Sequence, residues 1–467
     1  MRKELKEYNY DWMIWSLFDA ASKTMDGTEK EFRQLLNFIP AFRGVLEPIK
    51  AQGVVGIEFC KLAANYLNNI ITAHEKGKKR AITTFCFNPA IMYAMDVVPI
   101  TLEVMTVMGT LAWDRGTSEY LDYACEVGFT ETSCSSQRGS LGAYLAGLGE
   151  KIDFVVCDTP GVCDTNANSY AFASAYLNLP FYSLNYPPTL TGERTSRYHR
   201  EDYKGLIAFI EEQTGKKLDL DRLREVLMEI KKQDEIICEI EELQRFVPSP
   251  KPPIFGLFTY ACRFMFAGMK ECTRLLELML EKVRENADNG ICGLASGRER
   301  TRALFCYIDH YTADFRFFDM LDRSGITSFG SMLSTFWQKN APYSRGRENE
   351  TYHIDTTELD AMIDSIAEAN SRMPMIKQIR GPYDKPEMWL EDTLAAAKVY
   401  NADCIIYNGT PGCRNTWGMV KVLAQDTEKR GYPTHIMYSD AFDDRVESWE
   451  TTSARLEEFF KVRRLLK

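Results

Sequence analysis

The chain has 467 residues, 45% of them hydrophobic and 26% charged, with a formal net charge of −10. That length exceeds what one hydrophobic core usually supports, so two or three domains are expected, and the composition is that of an ordinary globular protein. An acidic balance with no long basic run excludes nucleic acid as a general partner, and no apolar stretch reaches the ~20 residues that a membrane span needs. The opening MRKELKEYNYDW carries both charge signs, unlike a signal peptide. A cytoplasmic protein is therefore expected, and disulfides are rare there. Thirteen cysteines then need another account. Cys60, Cys238, Cys262, Cys306 and Cys404 sit on apolar faces or in apolar runs and read as small core hydrophobes. Cys134, Cys163 and Cys413 lie instead in turns rich in Gly, Ser, Thr or Pro.

In chain order, residues 1–78 show helical periodicity, with Trp12, Trp15, Leu17 and Phe18, and later Leu62, Ala63, Tyr66, Leu67 and Ile70, at spacings of three and four. Gly44, Pro48 and Gly53 interrupt it. A helical N-terminal region is expected that caps a domain or meets a partner subunit; the short basic cluster Lys76 to Arg80 ends it. AITTFCF then reads as a strand, Asn88-Pro89 as a helix opening, and VVPITLE as a second strand. After a helix near Ser118 to Val127 comes TETSCSSQRGSLGAYLAGLG, where Thr132 or Ser133 can cap a helix starting near Cys134. Gly139, Gly142 and Gly147 there admit close approach of backbone or ligand. A strand, a turn, a helix and the strand LPFYSLNYP complete a first α/β domain over 79–248. Its exit helices cover Asp202 to Glu212 and Asp219 to Phe246, and PSPKPPIFG marks the boundary. The second domain, 249–467, opens with a helical stretch to Asn286. Then come the strand RALFCYIDH, a helix to Arg323, the strand ITSFGS, helices at Thr357 to Ser371 and Trp389 to Tyr400, the strands CIIYN and THIMYSD, and a last helix from Val446 to Leu466. Strands alternating with helices give the fold class as α/β: two doubly wound parallel-sheet domains, Rossmann- or flavodoxin-like, behind a helical N-terminal region.

One turn occurs twice. Asp153 to Asn166 reads DFVVCDTPGVCDTN and Asp403 to Thr416 reads DCIIYNGTPGCRNT, each an acid, an apolar run, Thr-Pro-Gly and a cysteine. Each copy places its cysteine, Cys163 or Cys413, at the carboxyl end of a parallel strand and near a helix N-terminus. Ligands bind at such strand ends, and backbone N–H groups there favour a thiolate. Matching cysteine turns in two α/β halves suggest an ancient duplication and a metal site shared by both. Unrelated buried cysteines in similar turns are the competing reading.

No GxxxxGK[ST], no GxGxxG after a strand, no HExxH and no CxxC occur, and the five histidines are scattered. A P-loop, a histidine-rich metal centre and a zinc ribbon are set aside on that ground. Three cysteines on separate turns with no fourth in register suit an iron–sulfur cluster with one iron open; structural zinc wants a fourth ligand.

Cys134 within ETSCSSQRGSLG, Cys163 after the first TPG and Cys413 after the second resemble the three cluster cysteines of the 2-hydroxyacyl-CoA dehydratase and benzoyl-CoA reductase family. The resemblance runs on through FNPAIMYAMDVVPITLE, GKKLDLDRLREVL, the PSP boundary and SDAFDDRVES. The LDRLREVL segment followed by a charged helix and PSP looks closest to the larger cluster-bearing subunit of benzoyl-CoA reductase. The resemblance implies that Cys134, Cys163 and Cys413 hold a four-iron, four-sulfur cluster between two α/β domains. It also implies a related subunit with a second cluster as partner, and an ATP-hydrolysing activator that delivers one electron at very low potential. In the reductases this electron enters the ring of benzoyl-CoA, the expected activity here. In the dehydratases it makes a ketyl radical of an (R)-2-hydroxyacyl-CoA, which expels the 2-hydroxyl; that is the alternative, together with a non-catalytic electron carrier. The thioester carbonyl lowers the energy of the radical anion, and the cleft must exclude water.

The chain departs from the family pattern in two places. Many dehydratases carry a Glu in the helix starting at Pro89, whereas Asn88 to Met95 holds no acid. Cys157 sits in the first turn where Tyr407 occupies the matching place in the second, and reads as a strand residue pointing away or a spare ligand. His310 and Tyr311 end the strand RALFCYIDH and are candidate proton donors to a radical anion, or else structural hydrogen-bonders. Arg138 follows Cys134 and can tune the cluster, bind a CoA phosphate or lie on a helix surface.

Overall fold

The structure, a computed structural model, describes residues 8–39, 43–85, 87–112, 117–158, 163–187, 192–307, 315–329, 354–371, 376, 386–440 and 442–466. It divides into two compact units. The first comprises 1–186, 199–229 and 264–275, the second 187–198, 230–263 and 276–467.

Four helices open the first unit: α1 (Tyr10–Asp26), α2 (Glu29–Phe38), α3 (Arg43–Lys50) and α4 (Val54–Ile71). Each of the first two starts where its sequence supplies a cap. The Asn9 side chain accepts the Trp12 N–H at 2.8 Å, and Thr28 and Glu31 form a reciprocal capping box. Tyr10, Ile14, Phe18, Ala21 and Met25 form the buried stripe of α1 and pack on α4, whose Phe59, Leu62, Ala63, Tyr66, Leu67 and Ile70 are buried in turn. Trp12, expected on that face, is 50% exposed, because two residues on from Tyr10 and two before Ile14 it lies about 200° round the helix, on the opposite face.

The first sheet has strands β1 (Lys79–Thr83), β2 (Val97–Thr101), β3 (Phe154–Cys157) and β4 (Phe181–Ser183), all parallel, in the order β2-β1-β3-β4. Between them lie α5 (Ala90–Ala94), α6 (Leu102–Ala112), α7 (Ser118–Glu126), α8 (Ser135–Leu145) and α9 (Asp164–Leu177). Helix α6 has no counterpart in the sequence-based reading, which took VVPITLE as strand throughout. Its LEVMTVMGTLA is buried on nearly every face, so it shows no apolar stripe from which a period could be read. Helices α10 (Glu193–Thr214), α11 (Leu220–Leu243), α12 (Phe255–Phe264) and α13 (Lys270–Asp288) follow.

The second sheet repeats the topology. Strands β5 (Thr301–Tyr307), β6 (Ile326–Phe329), β7 (Cys404–Gly409) and β8 (Thr434–Tyr438) are parallel in the order β6-β5-β7-β8. Helices α14 (Phe315–Ser324), α15 (Leu359–Ser371), α16 (Met388–Val399), α17 (Arg414–Lys429) and α18 (Trp449–Val462) accompany them. Two doubly wound sheets of identical strand order match the expected fold class.

The repeat extends to hydrogen bonds. In the first unit the Arg80 N–H donates to Asp153 Oδ2 at 2.8 Å, and the Asp153 N–H donates to the Arg80 carbonyl at 3.0 Å. In the second, the Arg302 N–H donates to Asp403 Oδ2 at 2.9 Å and the Asp403 N–H returns to the Arg302 carbonyl at 2.7 Å. Both guanidinium groups are buried and donate to main-chain carbonyls, Arg80 to Ile70 and Ile71, Arg302 to Tyr400 and Gln244. This clasp explains the acid that starts each Thr-Pro-Gly segment. It fixes the register of the central strand pair, and charge-assisted bonds of this kind are worth about 1.5–3 kcal/mol each.

Candidate functional site

All three cysteines singled out by their turns occupy the same structural position. Cys134 is the N-cap of α8, Cys163 of α9 and Cys413 of α17. Backbone N–H groups without intrahelical partners point out of a helix start and stabilise negative charge on sulfur there. At α9 this is explicit: the Asn166 N–H donates to Cys163 Sγ at 3.4 Å. Cys134 Sγ lies 3.0 Å from the Ser136 hydroxyl. The three retain 7–9% exposure, whereas Cys60, Cys157, Cys306 and Cys404 have none. Burial pushes the Cys60 thiol up to about 12 and those of Cys306 and Cys404 upward as well. Cys157 is a fully buried residue of the strand β3. Sequence reasoning expected Thr132 or Ser133 to cap α8. The Ser133 hydroxyl instead donates back to the Thr130 carbonyl at 2.7 Å, leaving the cap position to Cys134.

The turn that presents Cys134 is held from behind by Arg138. Its Nε donates to the Ser133 carbonyl at 3.1 Å, Nη2 to the Glu131 carbonyl at 3.1 Å and Nη1 to Cys125 Sγ at 3.1 Å, and the side chain is buried. Arg138 thus places its charge beside the α8 N-terminus and away from the surface. The nearby glycines serve packing. A Cβ at Gly142 would fall 2.0 Å from the Tyr120 carbonyl oxygen, and one at Gly139 would fall 2.4 Å from Thr106 Cγ2, so α8 sits directly against α7 and α6. Gly147, at φ +73°, follows the end of α8 in the left-handed conformation. In the second unit the Trp417 indole donates to the Thr410 carbonyl at 3.0 Å and closes over Gly409, where a Cβ would meet its ring at 2.7 Å.

A second cluster in the first unit escaped sequence reasoning. In the order β2-β1-β3-β4 the chain reverses its winding between β1 and β3, and the crevice at the carboxyl ends of those strands is where such sheets bind ligands. Thr84 follows β1, Asp158 follows β3 and Glu103 stands in the first turn of α6 after β2, all buried. The Thr84 hydroxyl donates to Asp158 Oδ1. Asn166 Nδ2 donates to Glu103 Oε1 at 3.0 Å, and the Tyr170 hydroxyl lies 3.0 Å from the Thr83 carbonyl and 3.3 Å from Glu103 Oε2. Burial raises the Glu103 carboxyl to about 7, and the neighbouring Asp158 charge adds to the shift. Burial likewise raises Asp158 to about 7 against the lowering bond from Thr84. Two carboxyls that burial holds above the ordinary carboxylate range therefore stand at the strand ends of the first sheet, and Glu103 meets Asn166 and Tyr170 of α9, the helix that Cys163 caps. Asp158 Oδ2 and Asn166 Oδ1 have no hydrogen-bond partner among the described residues.

His310 and Tyr311, the expected proton donors, lie outside the described residues. Among the described residues no group of three or more His, Cys, Asp or Glu side chains is gathered to hold a metal ion. Taken singly, the three cysteines fit iron–sulfur ligation, since each is a helix N-cap thiol with residual exposure. Cys134 and Cys163 belong to the first unit and Cys413 to the second. No helix among the described residues is long and apolar enough to cross a membrane.

Comparison with known proteins places the chain in a family. The family model described as 2-hydroxyglutaryl-CoA dehydratase, D-component, matches residues 84–462. The chain is 25% identical over 202 residues to the (R)-phenyllactyl-CoA dehydratase alpha subunit of Clostridium sporogenes, an alignment covering 41% of this chain and 49% of that protein. The chain thus spans about half the length of the curated relative it matches.

Proposed function

We propose, for a chain that belongs to the 2-hydroxyglutaryl-CoA dehydratase D-component family, the role of an iron–sulfur subunit in an enzyme that eliminates water from a 2-hydroxyacyl-CoA. One observation carries the reading: Cys134, Cys163 and Cys413, drawn from three separate turns, each stand at a helix N-cap. Cys134, Cys163 and Cys413 would hold a four-iron, four-sulfur cluster, which when bound supplies an electron at low potential to the thioester carbonyl. The protein's own part is to present those thiols at helix N-termini, to fix the Cys134 turn through Arg138, and to offer a buried carboxyl, Glu103, against α9. The relative named above is an alpha subunit, which supports a related subunit as partner; an ATP-hydrolysing activator is the electron source this reading requires.

Reductive attack on an aromatic acyl-CoA ring is the second reading. It is favoured by the lack of an acid between Asn88 and Met95 and by the GKKLDLDRLREVL and PSP segments. One experiment addresses both. The chain is purified anaerobically with its partner, assayed for iron and sulfide, and incubated with activator, ATP, reductant and either a 2-hydroxyacyl-CoA or benzoyl-CoA. Enoyl-CoA formation supports dehydration and a cyclic dienoyl-CoA supports ring reduction. A colourless, iron-free protein would overturn both.

A further inference from the structure

Cys134 is held by more than its own turn. Helix α8, which it caps, is buried along its whole length, so the polar side chains of that helix depend on partners within the protein. Ser140 and Tyr144 are four residues apart and share one face, and both find their partners on α1. The Tyr10 hydroxyl lies 2.7 Å from Ser140 Oγ and donates to the Met105 carbonyl at 3.1 Å. Asp11 takes a donor on each carboxylate oxygen, the Tyr144 hydroxyl at 2.6 Å and the Glu150 N–H at 2.7 Å. The Tyr10 N–H donates to the Leu148 carbonyl at 2.8 Å. Asn9, which caps α1 through Oδ1, donates through Nδ2 to Glu150 Oε1 at 3.0 Å.

Consecutive residues at the start of α1 thus grip α8 and the turn that follows it, across separations of 130 to 141 positions. The sides of α8 are closed by α7 and α6, where the Ser140 N–H also donates to Thr106 Oγ1 at 2.9 Å. Arg138 fixes the front of the helix and α1 fixes its rear. A helix of 11 residues moves as a rod, so a slip at Ser140 or Tyr144 carries Cys134 with it. These ties end on α8 and its following turn, whereas Cys163 and Cys413 cap other helices.

We infer that Tyr10 and Asp11 are positioning residues for Cys134: the start of the N-terminal helical region holds α8 where its cap thiol can serve as an iron–sulfur ligand. That region precedes residue 84, where the family match begins. The inference rests on the iron–sulfur reading for what the thiol binds, while the hold on the thiol is measurable without iron. A role confined to general stability makes a different prediction, since it would loosen all three cysteines together.

The test uses the full chain in complex with its partner subunit. Iron is removed by anaerobic chelation, the complex is pulsed with iodoacetamide, and peptide mass spectrometry reads labelling at Cys134, Cys163 and Cys413. Labelling of a nearly buried thiol follows the population of its open state. Tyr10→Phe keeps the ring and should raise labelling of Cys134 relative to the other two by ~5-fold, the factor that corresponds to one net hydrogen bond. Asp11→Ala should raise it by ~10-fold or more, because two bonds to a charged group are lost. Ser140→Ala added to Tyr10→Phe should change little further, since both sever one tie. Trp12→Ala, on the exposed face of the same helix, should leave the ratio unchanged. With iron loaded, a chelator should withdraw it faster from Tyr10→Phe and Asp11→Ala than from wild type. The inference is overturned if the ratio does not move in Tyr10→Phe, if labelling rises equally at all three cysteines, if Trp12→Ala moves it as far, or if iron leaves the loaded variants at the wild-type rate. A wild-type complex that never holds iron counts against the iron–sulfur reading instead, and the labelling then decides the positioning role by itself. Should Asp11→Ala fail to fold, Tyr10→Phe and Ser140→Ala carry the same decision.

Discussion

Glycine-to-alanine substitution should have opposite signs at two helix positions of this chain, and the structure says by how much. Gly142 lies within α8, where an added Cβ would stand 2.0 Å from the Tyr120 carbonyl oxygen and 2.7 Å from its carbon. Both obstacles are main chain of α7, so no rotamer change relieves them. Overpacking of this kind costs about 1–3 kcal/mol, and an immovable neighbour puts Gly142→Ala towards the upper end. Alanine returns about 1 kcal/mol of helix propensity, leaving a net loss of roughly 1–2 kcal/mol. For a unit of about 200 residues that is a fall of roughly 2–8 °C in apparent Tm. Gly418 lies within α17 with nothing inside 4 Å of its Cβ position and no left-handed φ. Gly418→Ala should therefore gain about 0.5–1 kcal/mol and raise Tm by roughly 1–4 °C. Differential scanning calorimetry of the two variants against wild type decides the matter. A neutral or stabilised Gly142→Ala would show that α8 and α7 are not in the contact described, and the placement of the Cys134 turn would lose its support.

Cys413→Ala should lose most of its bound iron while keeping the wild-type far-UV circular dichroism; full iron content in the variant would remove Cys413 from the ligand set. Arg138→Lys should destabilise the first unit by about 2 kcal/mol or more, because one ammonium cannot replace a fork that meets two carbonyls and a sulfur. Faster limited proteolysis between Thr130 and Ser133 is the readout, and unchanged cleavage would contradict it. Stability should depend on pH in opposite senses in the two units. Asp11, at about 6, and Glu103 and Asp158, at about 7, are raised by burial above their ordinary values. They bind more protons folded than unfolded, so their contribution is complete below about pH 4 and is lost as pH rises to about 7. His435 is depressed to about 4 by burial and by Arg455. Its contribution is present above pH 6.5 and is lost as pH falls towards 4. Calorimetry from pH 4 to 8 should show the first unit weakening as pH rises, with a shallower slope in Asp158→Asn. Parallel behaviour of both units would refute the assignment.

Much of this was legible in the sequence, and the reason differs from element to element. The two Thr-Pro-Gly segments could be read because strand, turn and cysteine are adjacent in the chain, and the cap position of Cys163 and Cys413 follows from that adjacency. The Arg80–Asp153 and Arg302–Asp403 clasps could not, since each joins residues 73 and 101 positions apart. Glu103 was hidden for a different reason. A lone acid among LEVMTVMGTLA resembles a strand end, and only the helix beginning at Leu102 turns it into the crevice. Asp158 was in plain view but was read as part of a turn, because what distinguishes it is the company of Thr84 and Glu103 from other strand ends.

The twin clasps align the two halves residue by residue, and that alignment has a chemical consequence. With Phe154 and Cys404 each opposite the corresponding alanine of the central strand, Ala81 or Ala303, Asp158 of the first copy answers to Asn408 of the second. One half thus carries at this strand end a carboxyl, which can exchange a proton, where the other carries an amide, which cannot, so any proton transfer at that position falls to the first half alone.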